Sequence, residues 1–151
     1  MRALSIRQPF AELILRGIKT VELRSRATNV VGERFYIYAA KTKLAVARGQ
    51  WPAAWSNDLA GARPPPPRWM IELAAQVGMI EPGAIERLPT GVIVGTAVIA
   101  KVEPERMTGS GDDGESESMF RWHLADVERA RTLRKPTGRP QPVWFEPFGV
   151  K

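Results

Sequence analysis

Residues 17–24 read Gly-Ile-Lys-Thr-Val-Glu-Leu-Arg, and this stretch joins a predicted helix to a predicted strand. Its first residue, Gly17, adopts a left-handed backbone conformation at low cost and therefore often ends a helix. The alternation that follows predicts a strand whose side chains point alternately to opposite faces. We expect Val21 and Leu23 to face the core, while the glutamate and the arginine share the opposite face. The stretch thus predicts three charged side chains close together beside the end of a helix.

Lys19, Glu22 and Arg24 carry the chemistry of this stretch. A carboxylate that lies between two cations stays ionised and orients both. Arginine offers a planar fork that fits a phosphate or the edge of a base, and lysine offers a compact charge whose pKa falls when it loses water. Two interpretations follow from the residues alone. The side chains form either a structural ion pair that closes one end of a barrel or a polar ligand site.

The hydrophobic pattern around this stretch predicts several short strands and few helices. Strands are predicted at residues 3–7, 20–24, 34–40, 91–102 and 143–145. A short amphipathic helix is predicted at residues 10–16, with Pro9 in its first turn. Residues 119–131 fit neither the helical nor the strand period. Short strands with helices inserted between them indicate an α+β fold built around a barrel.

Two longer segments interrupt this pattern. An insert at about 43–88 contains four consecutive prolines and two predicted helices, at 44–55 and 69–77. It forms either a helical cap on the barrel or a surface for a protein partner. Residues 108–118 form a polar, acidic loop, which we expect to be flexible. Because the sequence shows neither an internal repeat nor a second core, residues 1–151 are predicted to form a single domain.

The composition favours an anionic partner and argues against a zinc site. The 151 residues include 22 Lys and Arg and 16 Asp and Glu, which gives a net charge of +6. The isoelectric point of about 10.2 suits a nucleic acid. With no cysteine and one histidine, neither a disulfide nor a zinc site is expected, and no cofactor is predicted. No apolar run approaches the ~20 residues that span a bilayer, and the first residues lack the features of a signal peptide. We therefore expect a cytoplasmic protein without a membrane partner.

Residues 5–11 and 17–24 together resemble the opening of the ASCH domain, a family of the PUA-like superfamily. The family's motif has the form G-x-K-x-x-E-x-R, and all four fixed positions match here: Gly17, Lys19, Glu22 and Arg24. Later stretches that also look like the family lie at residues 36–40, 91–98 and 122–124, followed by Gly138 and Trp144. The resemblance implies a small, mostly antiparallel PUA-like β-barrel flanked by helices. It also implies a cleft between the first helix and the barrel, lined by the motif.

The same resemblance implies a domain that binds RNA or a nucleotide-like ligand. Some small ASCH proteins deacylate N4-acetylcytidine, and others are reported to bind or cleave RNA, so binding and catalysis both remain open. The amidohydrolase members carry a threonine three residues after the motif lysine, where this chain has Glu22. The nearby hydroxyl is that of Thr20. The candidate catalytic residues are therefore either Thr20, as an activated hydroxyl, or Lys19 and Glu22, as a general acid–base pair that acts on a bound water.

Three further residues are predicted to contact the ligand: Gln8, Tyr38 and Lys41. Gln8 presents its amide either to a base edge or to the first turn of the helix that follows. Tyr38 either stacks on a base or packs as a half-buried barrel residue, and Lys41 closes the third strand near the cleft. A basic stretch near the C-terminus also suits phosphates, and it comprises Arg121, Arg129, Arg131, Arg134, Lys135 and Arg139.

Overall fold

The computed structural model describes residues 1–41, 87–105 and 119–149. Within these residues the chain forms β1 (Ala3–Ile6), α1 (Phe10–Leu15), β2 (Val21–Arg24), β3 (Arg34–Ala39), β4 (Val92–Glu105), β5 (Met119–Arg134) and β6 (Trp144–Phe145). All five predicted strands are present, and the ambiguous stretch at 119–131 belongs to a strand. The predicted helices at 44–55 and 69–77, almost all of the insert around them and the loop at 108–118 lie outside the described residues. None of the described helices is long and apolar enough to cross a membrane.

The six strands form one sheet in the order β2-β5-β4-β3-β1-β6. Strands β1 and β3 run parallel, and every other neighbouring pair is antiparallel. The prediction of a mostly antiparallel sheet is therefore confirmed. Register shifts on β4 and β5 interrupt the pairing at several places, and such irregularities increase the local twist and bend of a sheet.

Contacts between distant strands show that this sheet curls into a half-barrel. Nη2 of Arg24, on the first strand of the order, donates to the carbonyl of Ser5, on the fifth, at 2.8 Å. The rings of Trp122 and Trp144, from the second and sixth strands, stack with their centres 5.9 Å apart. The expected flanking helices are only weakly represented, because the described residues contain one helix of six residues.

The concave face of the sheet holds the main hydrophobic core. Its members come from β1, α1, β3, β4 and β5, and Trp122, with 1% of its surface exposed, is the largest of them. A smaller cluster of Ala3, Tyr38, Ile93 and Phe145 lies on the opposite, outer face. Because both faces are covered, β3 is buried over most of its length.

Helix α1 packs against the sheet through the predicted face of Phe10, Leu13 and Ile14, all of them buried. Its approach to the strands is close at Gly95, where a Cβ atom would lie 2.6 Å from Cδ2 of Leu15. The same Cβ atom would lie still closer to the backbone carbonyl oxygen of Glu128, so a side chain at this position would also disturb the pairing of β4 with β5.

An ion pair between Glu12 and Arg129 fixes the same helix to β5. Both guanidinium nitrogens Nη1 and Nη2 of Arg129 donate to the carboxylate of Glu12, at 3.1 and 2.8 Å. Nε of Arg16 donates to the same carboxylate at 3.0 Å. Paired hydrogen bonds of this kind fix orientation as well as distance. The helix that precedes the motif is thus held in one position on the sheet.

The assignment of faces in β2 differs from the sequence prediction. Glu22 lies opposite Trp122 and Arg24 lies opposite Phe120, so the charged residues share the face of the core tryptophan. Val21 and Leu23 therefore occupy the other face. Alternation shows which residues share a face but not which face points inward, and here the inner face holds the charges. The expected face was therefore wrong, although Val21 is itself buried, with 7% of its surface exposed.

Candidate ligand-binding site

The end of α1 determines where the motif lysine lies. Gly17 has a φ of +73°, and its N–H donates to the carbonyl of Ile14 at 3.0 Å. The N–H groups of Ile18 and Lys19 both donate to the carbonyl of Leu13, at 3.0 and 3.1 Å. This is the hydrogen-bond pattern of a glycine-terminated helix, in which the chain turns back under the last turn. Because of this turn, Lys19 enters the protein instead of pointing into solvent, and it is only 2% exposed.

The carboxylate of Glu22 lies between the two cations of the motif. Nζ of Lys19 donates to Oε2 of Glu22 at 2.5 Å and to the carbonyl of Val21 at 2.6 Å. Nε of Arg24 donates to Oε1 of Glu22 at 2.8 Å. Each carboxylate oxygen therefore has a cationic partner. The predicted cluster of three charges is confirmed as a geometry, whereas its role in ligand binding or catalysis stays a prediction.

Burial and charge act against each other in this cluster. Burial lowers the pKa of Lys19 from its ordinary value of 10.5, and the charge of Glu22 opposes that shift. Burial alone raises the pKa of Glu22, but the charges of Lys19 and Arg24 outweigh it, so the pKa lies below 4.5. Glu22 is therefore ionised at neutral pH and orients both cations.

Arg24 connects this buried cluster to β1. Its Nη2 donates to the carbonyl of Ser5 at 2.8 Å, and its guanidinium carbon lies 5.9 Å from the centre of the Trp122 ring. The arginine thus bridges the two strands that the curl of the sheet brings together. Since Ser5 also lines a groove on the outer face, the motif helps to fix one wall of that groove.

Gln8 is buried, and its side chain forms a hydrogen bond with the first turn of α1. Its Oε1 accepts a hydrogen bond from the backbone N–H of Glu12 at 3.0 Å, and its Nε2 donates to the carbonyl of Pro89 at 3.0 Å. An N–H in the first turn of a helix has no partner within the helix, so the amide supplies one. Of the two interpretations from the sequence, the contact with the first helical turn is the one present here.

Thr20 lies beside the charged cluster in sequence but is exposed, in contrast to Lys19 and Glu22. Its backbone carbonyl accepts from the N–H of Leu124 at 2.8 Å, which extends the pairing of β2 with β5. Within the described part of the chain, its hydroxyl makes no hydrogen bond to the lysine or the glutamate. The geometry therefore does not supply Thr20 with a neighbouring base.

A groove of about 570 Å³ lies on the outer face, where Ser5 and Tyr38 are directly paired. The described residues that line it are Ser5, Arg7, Tyr38, Ala40, Lys41, Arg139, Pro140, Gln141 and Pro142. Three of them carry a positive charge, and none of them carries a negative charge. Two of the predicted ligand contacts, Tyr38 and Lys41, thus lie together in this groove. Lys19, Glu22 and Arg24 are not among its lining residues.

One side of the groove is formed by residues 139–142, which follow β5. The N–H groups of Thr137 and Gly138 donate to the carbonyl of Pro147, at 2.8 and 2.9 Å, and the N–H of Ser5 donates to the carbonyl of Val143 at 3.0 Å. The segment is therefore anchored at both ends. The glycine and the prolines of residues 136–142 indicate a turn in the sequence, but they do not show which strands this segment will contact.

Tyr38 lines the groove, but its ring face is not open to solvent for stacking on a base. It is 2% exposed, and its ring packs edge-to-face on Phe145 with centres 5.2 Å apart. Burial raises the pKa of its hydroxyl above 10.0. A neutral hydroxyl at this place suits hydrogen bonding to a polar ligand better than face-to-face stacking on a base.

In residues 1–41, 87–105 and 119–149, no group of three or more His, Cys, Asp or Glu side chains lies together in a way that suits a metal ion.

Comparison with known proteins gives one family. The model of the ASCH domain matches residues 4–134. The chain belongs to the ASCH domain family. Two solved structures resemble this ASCH domain: a mutant ASCH protein from Zymomonas mobilis, with 15% identity and a TM-score of 0.47 over 89% of this chain and 72% of that chain, and the ASCH protein of the same organism, with 15% identity and a TM-score of 0.43 over 85% and 68%. No curated protein sequence matches the chain.

Proposed function

We propose that this ASCH domain binds RNA, or a nucleotide-like anion, in the groove on the outer face of the sheet. The observation that carries the proposal is the charge of the groove: among its described lining residues there are three cations and no carboxylate. Phosphate is the ligand group that such a surface attracts, and phosphate contacts supply most of the affinity in protein–nucleic acid complexes.

Two of these cations are suited to contact phosphate. Lys41 and Arg139 are exposed and lie among the residues that line the groove. The aliphatic stem of Lys41 lies over Gly91, where a Cβ atom would be 3.4 Å from its Cγ. The absence of a side chain at Gly91 leaves room for this stem, while the lysine as a whole is exposed to solvent. The lysine supplies a point charge, whereas the arginine offers a planar fork for phosphate oxygens.

Selectivity would come from the polar groups between these charges. The Tyr38 hydroxyl donates or accepts hydrogen bonds, and the Gln141 amide does both at once. Both residues line the groove, Gln141 from the exposed segment 139–142. These groups suit the edge of a base, so the proposed ligand has a base as well as a phosphate.

In this proposal the motif residues act by positioning. Glu22 holds Arg24, and Arg24 holds the carbonyl of Ser5 in the wall of the groove. Lys19 fixes the other oxygen of the carboxylate. If these contacts are lost, the backbone at Ser5 shifts, but every residue that lines the groove is still present. The motif therefore contributes to the affinity for the ligand although its own side chains do not line the groove.

The test is a titration of a labelled single-stranded RNA with the protein and with Lys41→Met and Arg139→Met. Each variant should weaken binding and reduce the dependence of log K on log salt by about 0.7, the value for one phosphate contact on a single strand. Lys101→Met is the matched control, because Lys101 is 60% exposed and pairs with Glu103 at 3.0 Å. Equal affinity in the protein and both groove variants would remove the basis for the proposal.

The Lys19–Glu22 pair favours a second candidate, a small amidohydrolase acting on N4-acetylcytidine-like nucleosides. A buried lysine with a lowered pKa beside a carboxylate suits general acid–base catalysis. Release of acetate from N4-acetylcytidine that is abolished by Lys19→Ala and by Glu22→Gln would establish this activity. Thr20→Ala separates the mechanisms, since it removes activity only if the hydroxyl is the nucleophile. Turnover that is the same in all three variants would exclude this group as the catalyst.

A further inference from the structure

A fourth cation is held in place on the same outer face of the sheet. The guanidinium carbon of Arg134 lies 4.3 Å from the centre of the Phe148 ring and 5.5 Å from the centre of the Tyr36 ring. Its Nη2 donates to the hydroxyl of Tyr36 at 3.2 Å. Two rings and a hydroxyl thus fix the orientation of a side chain that is exposed to solvent. A charge that is ordered before binding loses less conformational entropy when a ligand arrives.

The strand register shows that this cation lies close to the groove. Tyr38 lies opposite Ile93, and Ile93 lies opposite Arg134, so the three residues form one row across β3, β4 and β5. Neighbouring strands are ~4.8 Å apart, which places the backbone of Arg134 about 10 Å from that of Tyr38. Tyr36 shares the outer face with Tyr38 because it lies two residues away on the same strand.

Arg134 carries a charge that its protein contacts do not neutralise. Within the described residues its partners are the two rings and the Tyr36 hydroxyl, and no carboxylate pairs with it. Arg129, on the same strand, differs in this respect, because it is paired with Glu12.

We propose that the occupant of the groove is an oligonucleotide whose strand continues across the outer face, where Arg134 binds a second phosphate. This inference rests on the proposed function, since it takes phosphate as the group that the groove attracts. A mononucleotide bound in the groove would leave Arg134, which is not among the lining residues, without a phosphate partner. A strand that is one nucleotide longer reaches Arg134 on the same face. The strand register places the backbone of this residue about 10 Å from that of Tyr38.

The test compares uridine monophosphate with oligouridylates of increasing length up to about 16 nucleotides, the upper site size of a small single-strand-binding fold. In the protein, affinity should rise with length. In Arg134→Met most of this rise should be lost, while the affinity for the mononucleotide is unchanged. Methionine keeps an unbranched side chain over Phe148 and removes the charge, and thermal unfolding checks that the variant is folded. Arg134→Lys keeps the charge and should retain most of the rise.

The outcomes separate this inference from the proposed function. If Arg134→Met binds every length as the protein does, while Lys41→Met binds all of them more weakly, the groove is a site for a short ligand and the inference is wrong. If Arg134→Met weakens the shortest and the longest probe by the same factor, Arg134 belongs to the groove itself, and the second phosphate position is again wrong. If no probe binds to the unaltered protein, the proposed function fails and the inference fails with it.

Discussion

The guanidinium of Arg24 donates a hydrogen bond to the carbonyl oxygen of Ser5 at a distance of 2.8 Å. The two residues lie on strands that are separated by three others in the sheet order, so this contact closes the half-barrel on itself. It also connects the buried charges of the motif to the outer groove, because Ser5 lines that groove. The structural and the ligand-related interpretations of the motif are therefore compatible, because the ion pair that holds Arg24 also supports the wall of the proposed site.

Replacement of Glu22 by alanine should lower the free energy of unfolding by about 3 kcal/mol, because it leaves two buried or nearly buried cations without their carboxylate. Urea unfolding monitored by tryptophan fluorescence measures the change. Glu103→Ala is the matched control, since Glu103 also pairs with a lysine, Lys101, but at an exposed place. Its midpoint should equal that of the unaltered protein. A Glu22→Ala midpoint equal to that of the control would contradict the supporting role of the motif.

Some features of the fold and of the candidate site were predictable from the sequence, and others were not. Gly17 predicts the end of α1, and the left-handed turn is present there. The four fixed positions of the motif predict the family and the cluster of charges. The inward face of β2 was not predictable, because Glu22 and Arg24 become inner residues only through pairing with the core strand that carries Trp122. The pairing of Glu12 with Arg129, 117 residues apart, has no local sequence signal either.

The stability of the protein should fall in acid partly through Glu12. Burial raises the pKa of this carboxyl, but hydrogen bonds and charges from Arg129 and Arg16 outweigh it, so the pKa in the folded state lies below 4.5. A group with a depressed folded pKa contributes stability above its unfolded pKa and loses it as the pH falls through the folded value. Glu12→Gln should therefore be less stable at pH 7 and should lose less stability on acidification below 4.5.

Urea unfolding at a series of pH values measures this effect. Arg129→Met tests the same ion pair from the other side, because it removes the main cause of the lowered pKa. Both variants should show a shallower decline of the unfolding free energy between pH 4.5 and lower values. If Glu12→Gln declines as steeply as the unaltered protein, the ion pair does not contribute to the pH dependence.

Gly138→Ala should weaken RNA binding by displacing the segment 139–142. A Cβ atom at this position would meet the carbonyl oxygen of Glu146, a backbone atom that has little freedom to move. Fluorescence anisotropy with a labelled single-stranded RNA measures the affinity, and we expect a several-fold loss. Thr137→Ser is the control, because serine keeps a hydroxyl for the contact with the carbonyl of Pro147. Affinity equal to that of the control would show that the segment is not part of the site.

The measurement that tests the central claim most directly is a titration of the isotope-labelled protein with unlabelled single-stranded RNA, followed by backbone amide chemical shifts. The account predicts that the largest changes occur at Ser5, Tyr38, Lys41 and Gln141, which line the groove. Smaller changes should extend to Arg134. Binding that shifts other amides and leaves those of the four groove residues unchanged would contradict the claim that the outer groove is the ligand site.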